Sequence, residues 1–342
     1  MYDANEIGLD WKGTLETLSS VPQSRCLIAN LAGVIKDDTG SQRCIIKLED
    51  MLIDSTMGKL RWATRTDHMK PASDKDFLVK CPISQSQSKQ EAVIQWLCQK
   101  ALATASLGDH CPRVYDIFKS MGSIWFTMSP IYRAPILPIY LSSLPSWLKK
   151  HSTNGQVLLK VLCQVAMCCL VLERTIGFNH RDLKPDNLLV KTDAVKVHIL
   201  KWKNEFEITI ASSPTVVLVD FGFACLGPGK MPWIQAGDDV LSPFDACPKV
   251  GRDIFMLIVF LIWMPEIRLS LTDEHLDFLK ASLHLSTERW KQMLNMNRNP
   301  IDWIYMLITE RGFQCPALDP LTWLQSCASR FPELVVVRIP PS

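Results

Sequence analysis

Glycine is scarce in this 342-residue chain. It has 15 glycines, fewer than its 21 prolines, where average usage would supply about 24. That shortage argues against a glycine-rich loop of the kind that cradles phosphate. A charge excess of either sign is missing too. Lys and Arg number 37 against 35 Asp and Glu, a formal net charge of +2, so bulk electrostatics point to neither nucleic acid nor an anionic membrane. No two of the twelve cysteines are spaced CxxC, and none joins histidines in a zinc-finger array, so a structural metal is not expected. The opening MYDANEIGLD holds three acids and neither a basic nor an apolar signal region, so a secretory leader is not expected. The longest apolar run, 254–265, is short of the ~18 residues that mark a membrane span. Reduced thiols in an intracellular protein, cytoplasmic or nuclear, are the simplest reading.

Against these absences stand 47% apolar and 21% charged residues, the composition of a globular chain with a large core. At ~150 residues per domain the length implies two domains or one large two-part domain. Residues 1 to about 41 show little periodicity and read as an extension of uncertain structure. From 44 to 83 short apolar runs (CIIKL, MLI, LRW, FLVK) alternate with turn-forming residues, the pattern of strands. A helix follows: Val93, Ile94, Trp96, Leu97, Ala101 and Leu102 recur at helical spacing, and Ser88-x-x-Glu91 has capping-box spacing. Further strands are expected at 113–118 and 123–128. After a proline-rich passage, 156–176 is apolar on most faces and predicts a buried central helix. VKVHI and FEITI predict a hairpin across 201–205, with another strand at 216–219, and helices dominate from Asp253 onward. A small strand-rich part is thus followed by a larger helical part.

The chemistry concentrates in Asn179 and the run His180-Arg181-Asp182-Leu183-Lys184-Pro185-Asp186-Asn187, and in Asp220-Phe221-Gly222 after an apolar strand. Two carboxylates, a lysine and an amide on loops are the ingredients for handling a magnesium-bound polyphosphate. Asp182 can accept a hydroxyl proton, Asn187 offers a carbonyl oxygen to a hard cation, and Asp220 supplies an anionic ligand.

HRDLKPDN followed by DFG resembles the eukaryotic-type serine/threonine protein kinase family. More loosely, the chain's insertions and degenerate loops resemble the protein kinases of large DNA viruses, which would place it in a host cell or virion. The resemblance covers about 44–310. It implies an α+β, two-lobed protein-kinase-like fold, with a β-rich N-lobe at 42–132 and a helical C-lobe at 133–342 that carries an inserted hairpin at about 194–211, projecting near the hinge side. It also implies ATP and Mg²⁺ as cofactors and a protein substrate, with no nucleic-acid or membrane partner.

By that resemblance Asp182 is the catalytic base, Lys184 steadies the transferred phosphoryl, and Asn187 and Asp220 hold Mg²⁺. Lys80, ending the strand FLVK, matches the lysine that holds the α- and β-phosphates, although a solvated strand-end lysine has the same sequence appearance. Its acid partner would be Glu91, the only acid between Phe77 and Asp109, unless Glu91 merely caps its helix. Gln95 stands where the family places an apolar residue. The hinge would be Met128, Ser129 and Pro130, with Met128 or Thr127 guarding the pocket and Leu189 beneath the adenine, although plain core residues would read the same way.

The departures are specific. Where the family carries GxGxxG, this chain reads Asp54-Ser55-Thr56-Met57-Gly58-Lys59-Leu60, with Gly58 alone remaining; an ordinary β-turn reads the same way. Between Gly222 and Leu241 there is no Ser, Thr or Tyr, so Asp238 or Asp239 would replace an activating phosphate opposite Arg181 unless both are simply solvated. No Ala-Pro-Glu anchor is evident, and Ser242-Pro243 lies near its place. Asp253 resembles the acid that braces the catalytic loop, with an N-cap as a competing but compatible role. The expected function is γ-phosphoryl transfer from Mg-ATP to protein Ser or Thr hydroxyls. The alternative is a pseudokinase acting as a nucleotide-binding or scaffolding module.

Overall fold

The structure, a computed structural model, describes residues 32–36, 42–55, 58–67, 70–82, 85–120, 123–129, 141–151, 155–192, 195–212, 214–227, 234–235, 249–295, 304 and 318–340. The expectations for Thr56, Met57, Pro130, Asp238, Asp239, Ser242 and Pro243 fall outside them. The fold is mixed α and β, with a curled antiparallel sheet and several helices.

The sheet holds β1 (Ala32–Lys36), β2 (Gln42–Ser55), β3 (Gly58–Asp67), β4 (Lys70–Pro82), β5 (Val114–Ser120) and β6 (Ser123–Met128), in the order β1-β2-β3-β4-β6-β5. The runs expected to be strands from 44 to 83 are β2 to β4. Strand β1 lies where the sequence shows no periodicity. Alternation along β4 sends Val79 to one face, with Ile46, Leu48, Ala63 and Phe118. Leu78 goes to the other face, with Phe126, Met128 and Ala92. Ala92 belongs to α1 (Gln85–Thr104), which lies across that second face. The capping-box expectation fails here: the helix begins at Gln85, so Ser88 and Glu91 are interior residues.

The chain then forms β7 (Leu141–Ser143), α2 (Leu144–His151) and α3 (Gly155–Ile176). As its apolar faces require, α3 is the central buried helix, packed against α1, against β10 (Phe206–Ser212) and against α8 (Pro320–Arg330). By length and hydropathy α3 would pass as a membrane span, a point the apolar-run reading missed, but 83% of its apolar window is buried inside the protein. Next come β8 (Leu188–Lys191), β9 (Lys196–Trp202), β10, β11 (Thr215–Leu218) and the short pair β12 (Cys225–Leu226) and β13 (Ile234–Gln235). The helices α4 (Arg252–Trp263), α5 (Pro265–Arg268), α6 (Asp273–Leu283), α7 (Thr287–Leu294) and α8 follow, and β14 (Val336–Arg338) closes the order.

The hairpin β9–β10 forms with the expected pairing, but it does not project. Phe206, Ile208 and Ile210 enter the main core beside α3, and β14 adds a third strand along β10. Burial of alternate β-branched and aromatic side chains explains why it lies flat. Cys225 is disulfide-bonded, a correction to the expectation of uniformly reduced thiols, whereas Cys81, Cys98, Cys111, Cys163, Cys168, Cys169 and Cys327 are free.

A histidine pair ties the hairpin to the turn after α1. The Val216 carbonyl can only accept, so His110 Nδ1, 2.7 Å away, carries a proton. His110 Nε2 then accepts from His198 Nδ1 at 3.2 Å, which leaves His198 Nε2 as a buried acceptor with no partner. Burial, seconded by the His198 charge, pushes His110 down from 6.5 to about 4. The unfolded chain therefore binds a proton below pH ~6.5 that the folded state refuses until about 4. Stability that is present above this window falls as pH drops through it. We expect the wild type to lose about 2 kcal/mol more than His110→Gln between pH 7 and 5, read by urea denaturation. Equal losses would show that His110 is not the group responsible.

Candidate active site

Strand alternation places Lys80 on the same face as Leu78, toward α1. On α1, Glu91 and Gln95 are one turn apart and both are buried against that face. Lys80 Nζ accordingly donates to Glu91, eleven residues away, and also to Asp220 Oδ1 at 3.2 Å. Burial works to lower the Lys80 pKa, but the Glu91 and Asp220 carboxylates outweigh it and hold the ammonium above its ordinary value. Burial favours the neutral acid at Asp220 as well, yet the adjacent Lys80 brings its pKa below the ordinary value. At Glu91 burial prevails and raises the carboxyl, with Lys80 pulling the other way. The bland alternative for Lys80, a solvated strand end, does not describe this residue.

Gln95 turns its polar end to the start of the β5–β6 hairpin. Its Nε2 donates to the Pro112 carbonyl at 3.2 Å and approaches Met128 Sδ at 3.7 Å. The amide thus tethers α1 to the segment that carries Met128, a role no sequence signal announced.

The loop 178–187 follows α3 by way of Gly177. This residue has φ +58, and a Cβ there would sit 2.0 Å from the Gly227 carbonyl oxygen, so only glycine fits. Beyond it, Asn179 and Cys225 exchange backbone hydrogen bonds at 3.0 and 2.9 Å, holding the loop against the segment after Asp220. Asp253 supplies the brace from α4. Its Oδ2 accepts from the His180 N–H at 2.7 Å and its Oδ1 from the Arg181 N–H at 3.0 Å. The competing N-cap role fails, because the N-cap of α4 is Gly251 and Asp253 lies inside the first turn. The His180 ring adds a bond from Nε2 to the Val219 carbonyl at 3.0 Å, which couples the loop to the residue before Asp220. Phe221 is fully buried beside Phe178 and His180, with centroids 6.0 and 5.3 Å away.

These anchors fix the reactive groups. Lys184 Nζ donates to Asp182 Oδ2 at 2.7 Å, and Asn187 Nδ2 donates to the same oxygen at 3.0 Å and to the Asp182 carbonyl at 2.8 Å. Both side-chain bonds fall on Oδ2, which leaves Oδ1 for a further proton donor. Arg181 and Asp220 adopt φ +66 and +64, left-handed conformations that cost non-glycine residues roughly 1–3 kcal/mol each and cluster at functional sites.

The residues fit a hard cation next to polyphosphate. The Asn187 amide spends its N–H groups on Asp182 and keeps its carbonyl oxygen, and Asp220 is anionic and 39% exposed. Among the described residues no three His, Cys, Asp or Glu gather into a metal-binding group, so one Asp and one Asn form an incomplete set that phosphate oxygens would have to complete.

The nucleotide-binding expectations divide. Leu189 lies half-buried on β8 opposite Val217. Met128, paired with Leu78, is on the face of Lys80, but Thr127 pairs with Val79 on the opposite face and bonds Asp116 there at 3.1 Å. Thr127 therefore faces away from Lys80. Gly58 has φ +145 and pairs with Ser55, a backbone conformation that favours glycine at the start of β3. Arg181 is buried. No protein-family model and no curated protein matches the chain.

Proposed function

We propose that the chain is a two-lobed serine/threonine protein kinase that transfers the γ-phosphoryl of Mg-ATP to hydroxyls of a protein substrate. The observation that carries this reading is the Lys80 ammonium held between Glu91 and Asp220 while Asp182 is held by Lys184 and Asn187. A six-stranded sheet with one helix, followed by a mostly helical remainder, agrees with the two lobes that the HRDLKPDN and DFG resemblance implies.

Mg-ATP, when bound, supplies the phosphoryl group and neutralises the charge that develops on it. Lys80, kept charged by two carboxylates, attracts phosphate oxygens. Asn187 and Asp220 present the oxygen ligands for Mg²⁺. Asp182 orients the substrate hydroxyl through Oδ1 and accepts its proton, and Lys184 places a positive charge beside that carboxylate. The residues act mainly by positioning and electrostatics.

Incubation of the full chain with labelled Mg-ATP and a generic basic protein should give label transfer that Asp182→Asn abolishes. A pseudokinase is the second reading, favoured by the single glycine between β2 and β3 and by buried Gln95. A thermal shift with ATP but no transfer above the Asp182→Asn background would establish that module in place of the enzyme.

A further inference from the structure

Away from Lys80 and Asp182, a cavity of roughly 380 Å³ opens between the turn after α1, the end of β6 and the sheet β7-β8-β11. Its volume falls in the range of small-molecule sites. Among the described residues its charged lining is Arg113, Lys191 and Lys196 together with Asp109. Lys196 pairs with Asp109 at 3.2 Å. Arg113 is exposed and stacks on Tyr115, its guanidinium 5.3 Å from the ring centroid.

A second, independent observation points inward. Thr215 lines the same cavity and is only 2% exposed, yet its Oγ1 has no hydrogen-bond partner. A buried hydroxyl left unsatisfied costs about 1–3 kcal/mol, which a polar group admitted beside it would recover. Thr215 pairs across the strands with Lys191, so the hydroxyl and that ammonium point to the same side of the sheet.

We propose that this cavity binds a small hydroxylated oxyanion, with its phosphate or carboxylate at Arg113, Lys191 and Lys196 and a hydroxyl between Thr215 and Asp109. Asp109 suits the hydroxyl end. Although burial works the other way, Lys196 and Lys191 hold its carboxyl below its ordinary value, so it accepts a hydrogen bond. The site touches the hinge without sharing the candidate catalytic residues. Arg113 and Ser129 both line it and are locked together, Ser129 N–H to the Arg113 carbonyl at 2.7 Å and Arg113 N–H to Ser129 Oγ at 2.9 Å. Binding here does not depend on the kinase reading.

Calorimetric titration of the full chain with glucose 6-phosphate, gluconate and glucose tests it. Glucose 6-phosphate binding alone identifies a phosphate ester, gluconate binding alone a carboxylate, and both the shared chemistry. Lys191→Gln and Arg113→Gln should each weaken binding about tenfold, the loss of one charge-assisted contact. Thr215→Val should weaken it about fivefold while the fold, relieved of an orphan hydroxyl, melts no lower. Lys80→Met, which removes the anion-attracting charge of the other cleft, should leave binding unchanged. Failure of both anions to bind more tightly than glucose overturns the proposal. So does binding that Lys80→Met abolishes and the Arg113 and Lys191 variants leave intact.

Discussion

Asp182→Asn should reduce phosphoryl transfer by on the order of a thousandfold, within the range of a positioned general base. The substitution is close to isosteric, so Asn187 and Lys184 keep a neighbour of the same shape. What disappears is the anionic carboxylate that is proposed to take the hydroxyl proton and whose Oδ2 faces Lys184 at 2.7 Å. The loss should appear in kcat, with the KM for ATP little changed, because in the proposed reading the nucleotide-side contacts belong to Lys80, Asn187 and Asp220. Labelled-phosphate kinetics on both forms, with circular dichroism to confirm folding, read this directly. A variant that transfers phosphate at the wild-type rate would remove Asp182 from the chemistry and, with it, the role assigned to the HRDLKPDN loop.

The second large effect concerns stability and geometry together. Asp253 is fully buried, and its two carboxylate oxygens are the acceptors for two consecutive backbone N–H groups. Asp253→Ala leaves both donors inside the protein without a partner, at about 1–3 kcal/mol each, for a loss on the order of 4 kcal/mol. A small refund comes from Glu173, a buried acid whose carboxyl is raised first by burial and then by the Asp253 charge. Denaturant unfolding should show the loss. Asp253→Asn, which keeps one accepting oxygen, should recover part of the stability while still disordering the loop enough to depress transfer. If Asp253→Ala unfolds at the wild-type midpoint, the brace carries no energetic weight.

Periodicity made the long elements legible: the apolar wheel of α3, the alternation from β2 to β4 and the VKVHI and FEITI pair. It missed β1, and it missed β14, a three-residue strand that exists because β10 offers it an edge more than a hundred residues earlier in the chain. Short strands carry too few residues for a period, and their partner is a matter of topology. In the site, the HRDLKPDN and DFG resemblance singled out Asp182, Lys184, Asn187 and Asp220, because one loop and one tripeptide hold them. The choice between cap and ion pair at Glu91 was open in sequence and turned on where α1 begins, three residues before Ser88. Thr127 and Met128 are adjacent, and only the register with β4 separates their faces. The polar tether of Gln95 and the orphan hydroxyl of Thr215 left no mark in the sequence, since each depends on what distant backbone brings near.

The Asp253 brace also has a meaning in time. The two amides it holds lie more than seventy residues earlier in the chain, so the loop carrying Asp182 cannot take its final shape until α4 has docked. Closing so long a span is among the slower events in forming a domain. Local contacts within α3 or the β9–β10 hairpin have no such wait. A newly made chain would thus acquire most of its helices and hairpins before the loop carrying Asp182 is set, and that loop would be one of the last parts to settle.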